Sequence, residues 1–255
     1  MRLQNKVAVV TGSGTGIGEA IAEKFLKEGA KVVLNSIDEE QLKRTESSLR
    51  QKGYNQVHSV VANISIKEES EKLMDTAVKT FGRLDVLVNN AGINRIGSSY
   101  DLPIEDYKAV LDVNLTGAFI CSQIAGKYMQ DFGGGSIVNI ASVYGHVFTP
   151  MRAAYSSTKS GLLGLNNVLA VEWAKDGIRV NAVAPAYIKT NLDETDQESG
   201  GYSDENIIGR TPLGRFGTSE EVANVVSFLA SDEASYVTGS CYDVDGGWRS
   251  FGGWS

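Results

Sequence analysis

A chain of 255 residues is long enough to bury one large core, and 42% hydrophobic with 22% charged residues is an ordinary balance for a globular protein. A net charge of -7 and a pI near 5.0 leave no basic excess to neutralise phosphates, so nucleic acid and anionic membranes are excluded as partners. The opening "MRLQNKVAVVTG" has an apolar run of four residues, shorter than a signal-peptide core or a membrane span, so a soluble cytoplasmic protein is expected. Cys121 and Cys241 have no second cysteine or histidine at metal-ligand spacing; they read as small buried hydrophobes in a reducing compartment, and no metal is expected.

Short β-branched runs predict strands at 7–10, 32–34, 57–61, 84–88, 136–140, 178–183 and 241–244. Helical periodicity fills the intervals near 17–28, 38–52, 67–81, 104–131, 153–176 and 218–231. In the first helix Ile17, Ile21 and Phe25 repeat at i, i+4 and i+8, and Gly29 is placed as its stop. Apolar strands alternating with helices predict an α/β fold. It is expected as a single Rossmann-type domain over residues 1–255, a doubly wound parallel sheet of about seven strands with helices on both faces. Residues 191–210 break the pattern: they are acidic, contain Gly200-Gly201 and lack apolar periodicity. They read either as a solvated loop or as a lid over a site.

The first strand runs into "TGSGTGIG", residues 11–18. Glycines at the start of a helix allow a sharp turn and let backbone amides approach a pyrophosphate. The spacing is not G-x-G-x-x-G, which would need glycine at Ile17; Gly12, Gly16 and Gly18 fit G-x3-G-x-G instead. No G-K-[ST] follows, so a nucleoside-triphosphate loop is excluded.

That spacing resembles the short-chain dehydrogenase/reductase family, and the resemblance extends over nearly the whole chain. "NNAG" (89–92), "DVNLTG" (112–117), "NIAS" (139–142), Tyr155-x3-Lys159, "PAYIKT" (185–190) and "VDGG" (244–247) occur in the family's order. Within the family, the chain looks like bacterial-type sugar or polyol dehydrogenases and 3-oxoacyl-acyl-carrier-protein reductases. The resemblance implies a catalytic set of Asn114, Ser142, Tyr155 and Lys159. It also implies an NAD or NADP site. Gly12, Ser13, Thr15, Gly16, Ile17 and Gly18 would hold the phosphates, with Ser36 at the ribose and Asn63 and Ile64 at adenine. Asn90, Ala91 and Gly92 would form a wall; Tyr155, Lys159, Pro185, Ile188 and Thr190 would surround the nicotinamide end. Asn114 is expected in a kinked helix, holding a water that links Lys159 to solvent.

Four positions depart from the family pattern. Ser36 stands where NAD users carry aspartate, and Ile37 where NADP users often carry arginine; Ser36 can bond a ribose hydroxyl or a phosphate. Asp38, Glu39 and Glu40 either repel a phosphate or serve the helix start, and NAD with tolerance for NADP is expected. Asn63 replaces an aspartate and keeps a carbonyl acceptor for the adenine amino group. Ala186 replaces a glycine and is tolerated where φ is negative.

Tyr155 and Lys159, four apart on a helix, share one face. A free phenol titrates near pH 10, too high for an acid/base group near neutrality. An ammonium about 5 Å away at an effective dielectric of ~20 favours the phenolate by roughly 3 kcal/mol, about two pKa units. Ser142, at the end of a strand, is placed to hold the substrate oxygen.

Between Ser142 and Tyr155, "VYGHVFTPMRAA" is expected to border the substrate pocket. His146 reads as a loop residue or a pocket group. Arg152 reads as a helix-start or subunit-contact residue, or as a clamp for a carboxylate, phosphate or sulfonate. With Asn94, Arg95 and Tyr144, these polar groups point to a small sugar, polyol or hydroxy acid rather than a steroid or long acyl chain. The alternative is a 3-oxoacyl-acyl-carrier-protein reductase, disfavoured by the absence of the basic NADP-binding residues usual in those enzymes. A catalytically silent nucleotide sensor is the non-enzyme reading. By resemblance, the helices near 104–131 and 153–176 are expected to join copies into a homodimer or homotetramer. The tail "WRSFGGWS" (248–255) either frays or closes a neighbour's pocket.

Overall fold

The computed structural model describes residues 1–190 and 202–252. Its strands are β1 (Val7–Val10), β2 (Lys31–Ser36), β3 (Val57–Val61), β4 (Val86–Asn89), β5 (Gly135–Ile140), β6 (Ile178–Pro185) and β7 (Cys241–Val244). All pair in parallel, in the order β3-β2-β1-β4-β5-β6-β7. The order reverses between β1 and β4, which pair with Ala8 opposite Val86 and Val10 opposite Val88. A crevice therefore opens beyond the carboxyl ends of these two strands, the place where doubly wound sheets take ligands.

The helices are α1 (Gly16–Lys27), α2 (Glu39–Gln51), α3 (Lys67–Phe81), α4 (Ile104–Leu111), α5 (Ala118–Asp131), α6 (Ala153–Trp173), α7 (Asp204–Arg210) and α8 (Ser219–Ala230). Period-2 alternation in the strands divides the core. Ala8 and Val10 face Ile21, Phe25, Leu42 and Val226, from α1, α2 and α8. Val7 and Val9 face Leu73, Cys121, Met129 and Leu169, from α3, α5 and α6. Both faces are thus covered, which is why the strands read as continuous apolar runs.

The expected helix over 104–131 is interrupted: Asp112–Gly117 forms a π-helical turn between α4 and α5. The segment Ile104–Asp131 is apolar enough by length and composition to cross a membrane (mean hydropathy 1.3), but half of its apolar window is buried in this fold. Part of the segment 191–210, expected as a loop or a lid, is helical. Its described end contains α7, with Ser203 and Asn206 forming a reciprocal cap; 191–201 lie outside the described residues.

Candidate active site

The glycine loop connects β1 to α1. Gly12 and Gly16 have φ of 61° and 60°, the left-handed region that favours glycine. A Cβ at Gly12 would lie 2.7 Å from Ala91 Cα, and one at Gly18 would collide with the Gly12 carbonyl oxygen. The turn is held from both sides. Asn90 Nδ2 donates to Thr11 O and Gly12 O, each at 2.9 Å, and Thr11 Oγ1 accepts from the amides of Asn90 and Ala91. Thr45 of α2 donates to Gly14 O at 2.8 Å. The loop's close backbone approach and amide-lined concavity fit a dinucleotide pyrophosphate.

These elements wall a cleft of about 820 Å³, large enough for a dinucleotide and a small substrate. Gly12, Thr15, Gly16, Ile17, Gly18, Ser36, Asn63, Ile64, Asn90, Ala91, Gly92, Pro185, Ile188 and Thr190 all line it, as do Ser142, Tyr155 and Lys159. Ser13 does not. Its buried hydroxyl donates to Val10 O at 2.8 Å and accepts from Asn35 N at 3.0 Å, tying the loop to β2. Ala186 lies outside the positive-φ region, in which Asn5 and Met151 are the non-glycine residues among those described.

At the ribose end, the acidic residues after β2 face elsewhere. Asp38 caps α2, accepting from Gln41 N at 3.0 Å, and Glu39 and Glu40 pair with Lys43. None of the three lines the cleft, whereas Arg44 does, beside Ser36. Sequence reading missed Arg44, because its place depends on the docking of α2 against Gly14. The expected lack of a basic group here is corrected. Asn63 is also corrected: its Oδ1 accepts from Ser65 N (3.1 Å) and Ser65 Oγ (2.8 Å). The acceptor expected to be open is thus engaged within the chain.

At the other end of the cleft, Ser142 follows β5 and its hydroxyl accepts from Tyr144 N at 3.2 Å. Lys159 is buried; its Nζ donates to Ile140 O at 2.7 Å and lies 5.4 Å from the Tyr155 ring centroid. Burial pushes the Lys159 ammonium down to about 8. Asn114, on the π-helical turn, does not line the cleft. It accepts from Ile93 N at 2.8 Å and donates to Ile93 O and Thr158 Oγ1. Its side chain therefore clamps the Asn90–Ile93 wall.

Asn94, Arg95, Tyr144 and Arg152 line the cleft near Tyr155, as do Tyr187 and Tyr202, which sequence reading did not single out. Tyr144 and Tyr187 share a hydroxyl hydrogen bond of 2.6 Å, and Tyr144 meets Tyr155 edge-on. Burial first, then Tyr144, raises the Tyr187 phenol far above its ordinary value, so it stays protonated.

Of the two readings of His146 the structure carries the loop residue and not the pocket group, since His146 does not line the cleft. Its Nε2 lies 3.5 Å from Cys241 Sγ, and with Asp243 it forms a cluster of potential ligand atoms within 4.8 Å of one another. Arg249 neutralises Asp243 at 3.1 Å, and burial lowers the His146 pKa. Trp248, the first residue of the tail segment, is also corrected: it is buried in its own chain against Tyr187, with Arg210 over its ring at 4.1 Å. Residues 253–255 lie outside the described residues.

Residues 12–249 match the family model described as enoyl-(acyl carrier protein) reductase, a short-chain dehydrogenase/reductase family. The chain belongs to the short-chain dehydrogenase/reductase family. This short-chain dehydrogenase/reductase is 42% identical over 250 residues to a 3-oxoacyl-acyl-carrier-protein reductase of Thermotoga maritima, covering 97% of this chain and 99% of the relative. It is 41% identical over 250 residues to glucose 1-dehydrogenase 2 of Bacillus subtilis, covering 96% and 95%. Among solved structures, it is similar to a gluconate 5-dehydrogenase from Burkholderia cenocepacia in complex with NADP and tartrate. That match has a TM-score of 0.92 and 32% identity, covering 98% of this chain and 97% of the other. Levodione reductase matches with a TM-score of 0.94 and 32% identity, covering 98% and 99%. The protein is an NAD(P)-dependent oxidoreductase of this family.

Proposed function

We propose that the enzyme interconverts a secondary alcohol and a carbonyl on a small hydroxylated substrate, a sugar, polyol or hydroxy acid. Convergence of Ser142, Tyr155 and Lys159 on the cleft below the glycine loop carries this reading. Bound there, the dinucleotide supplies or accepts the hydride. Ser142 Oγ orients the substrate oxygen, and Tyr155 takes the alcohol proton or returns it to the carbonyl oxygen. Lys159, fixed by Ile140 O, supplies the positive charge that favours the phenolate. Asn114 holds the wall at Ile93 and so positions Gly92 beside Lys159.

Ser36 can bond either ribose form, and Arg44, which lines the cleft together with Glu19, supplies a cation for a 2′-phosphate. The enzyme is accordingly read as using NAD and accepting NADP. The exposed faces of α5 and α6 carry Phe119 (41% exposed), Val168 (57%) and Val171 (81%), which supports pairing of copies through these helices.

The second reading, a 3-oxoacyl-acyl-carrier-protein reductase, is favoured by the Thermotoga maritima relative and gains from Arg44. Against it stands the polar substrate end: Asn94, Arg95, Tyr144, Arg152, Tyr187 and Tyr202. A coenzyme-linked screen over sugars, polyols, hydroxy acids and 3-oxoacyl thioesters separates the two. Turnover of the first three classes is expected; strong activity on thioesters alone would replace this reading with the second.

A further inference from the structure

We propose that Arg152 anchors a carboxylate of the substrate, which makes the substrate a short hydroxy or oxo acid. The proposal rests on the reading of Ser142 and Tyr155 as the reacting end of the cleft. Arg152 is an arginine in an environment that disfavours one, only 4% exposed. A guanidinium stays charged at any accessible pH, and burying it without an anion costs several kcal/mol.

The side of the chain to which the charge points is fixed by its neighbours. The guanidinium carbon lies 6.0 Å from the Tyr144 ring centroid and 5.8 Å from that of Tyr202, and its charge also acts on the Tyr187 hydroxyl. All three tyrosines line the cleft shared with Ser142 and Tyr155. None lines the shallow outer groove of Phe148, Thr149 and Ser156 that Arg152 also borders. Arg152 sits at the start of α6, directly after Met151, whose φ of 65° is unfavourable for a side-chain-bearing residue. The turn is held there by Gly97 N donating to Met151 O at 3.1 Å.

Other cations near this end of the cleft are already engaged. Arg95 lies 3.4 Å from Asp106, Lys189 lies 3.0 Å from Asp204, and Lys159 donates to Ile140 O. Among the described residues, Arg152 has ring contacts only, with no carboxylate or carbonyl oxygen in hydrogen-bond reach. Ring contacts answer the charge and leave the N–H donors unused. A planar two-oxygen anion matches that fork.

The distance sets the size of the ligand. Arg152 and Tyr155 are three residues apart at the start of one helix, so their Cβ atoms are about 5–6 Å apart. An anion held by one and a carbinol oxygen held by the other fit on a molecule of a few carbons.

The test uses the coenzyme-loaded enzyme and two paired readouts. In calorimetry, tartrate, its diamide and inorganic phosphate are titrated into wild type, Arg152→Gln and Arg152→Lys. In the coenzyme-linked assay, short hydroxy acids are compared with their neutral amides. The expected results are tartrate binding weakened at least tenfold in Arg152→Gln and partly retained in Arg152→Lys, with the diamide bound poorly throughout. The acid-over-amide ratio of kcat/KM should fall from about 100 to within threefold of unity in Arg152→Gln, mainly through KM. Equal tartrate binding by wild type and Arg152→Gln would overturn the proposal. Phosphate bound as tightly as tartrate would overturn the carboxylate assignment. Absence of turnover with every acid and amide, while tartrate binding still depends on Arg152, would sink the catalytic reading and uphold the anchor.

Discussion

Lys159 Nζ lies 5.4 Å from the Tyr155 ring centroid and is fixed there by its 2.7 Å hydrogen bond to Ile140 O. Its burial gives the pair a pH dependence. The folded-state pKa is pushed down to about 8 from 10.5, so below pH 8 both folded and unfolded chains hold the proton and the folded state bears the cost of burying it. Between about 8 and 10.5 the folded state has released a proton that the unfolded chain still holds, so stability rises with pH in that window. Coenzyme-free wild type should gain about 2 kcal/mol between pH 7 and 9.5 relative to Lys159→Met, on the order of 4–8 °C in Tm. Calorimetric scans of both proteins check this; parallel pH profiles would contradict it.

The proposed use of NAD with acceptance of NADP is tested at Arg44, which lines the cleft. Arg44→Ala should lower the NADP-to-NAD ratio of kcat/KM about tenfold, the value of one charge-assisted phosphate contact. A ratio unchanged by the substitution would mean that Arg44 does not meet the 2′-phosphate.

Gly18→Ala tests the packing of the phosphate loop. The new Cβ collides with Gly12 O, a backbone atom that cannot yield without moving the turn. A loss of about 1–3 kcal/mol and a raised coenzyme KM are expected. Normal values for both would show that the loop has slack.

Assembly is tested on α6. Val171 is 81% exposed on a helix whose opposite face packs in the core. Val171→Glu should shift the protein to a smaller species in light scattering while leaving the far-ultraviolet circular dichroism of the fold intact. A wild type that already runs as a monomer would remove this reading.

The strands and most helices were legible because apolar runs with turn residues between them specify a doubly wound sheet with little ambiguity. The expected and observed β3 coincide at 57–61, and α2 differs only in that Asp38 and Lys52 are its caps. The π-helical turn at Asp112–Gly117 matches the kink expected at Asn114 from the family resemblance, but periodicity gave no sign of it, since 104–131 keeps its apolar character through the change in hydrogen bonding. α7 was hidden because its cap, Ser203 with Asn206, lies in an acidic stretch without periodicity. Arg44 was missed and His146 was left between two readings for one physical reason. The place of Arg44 depends on Thr45 docking on Gly14, and that of His146 on contact with Cys241, 95 residues away. Such placements belong to tertiary packing, and local pattern carries no trace of them. Arg152 was visible as a candidate, but its burial among tyrosines was not.

The most direct test of the account is kcat/KM for wild type and Tyr155→Phe on a substrate found in the coenzyme-linked screen, with coenzyme Kd measured on the same proteins. Removing the phenolic hydroxyl should lower kcat/KM by about 10³-fold, within the range of general acid/base contributions, and leave coenzyme Kd within threefold. Turnover by Tyr155→Phe within tenfold of wild type would contradict the assignment of Tyr155 as the proton-transfer group.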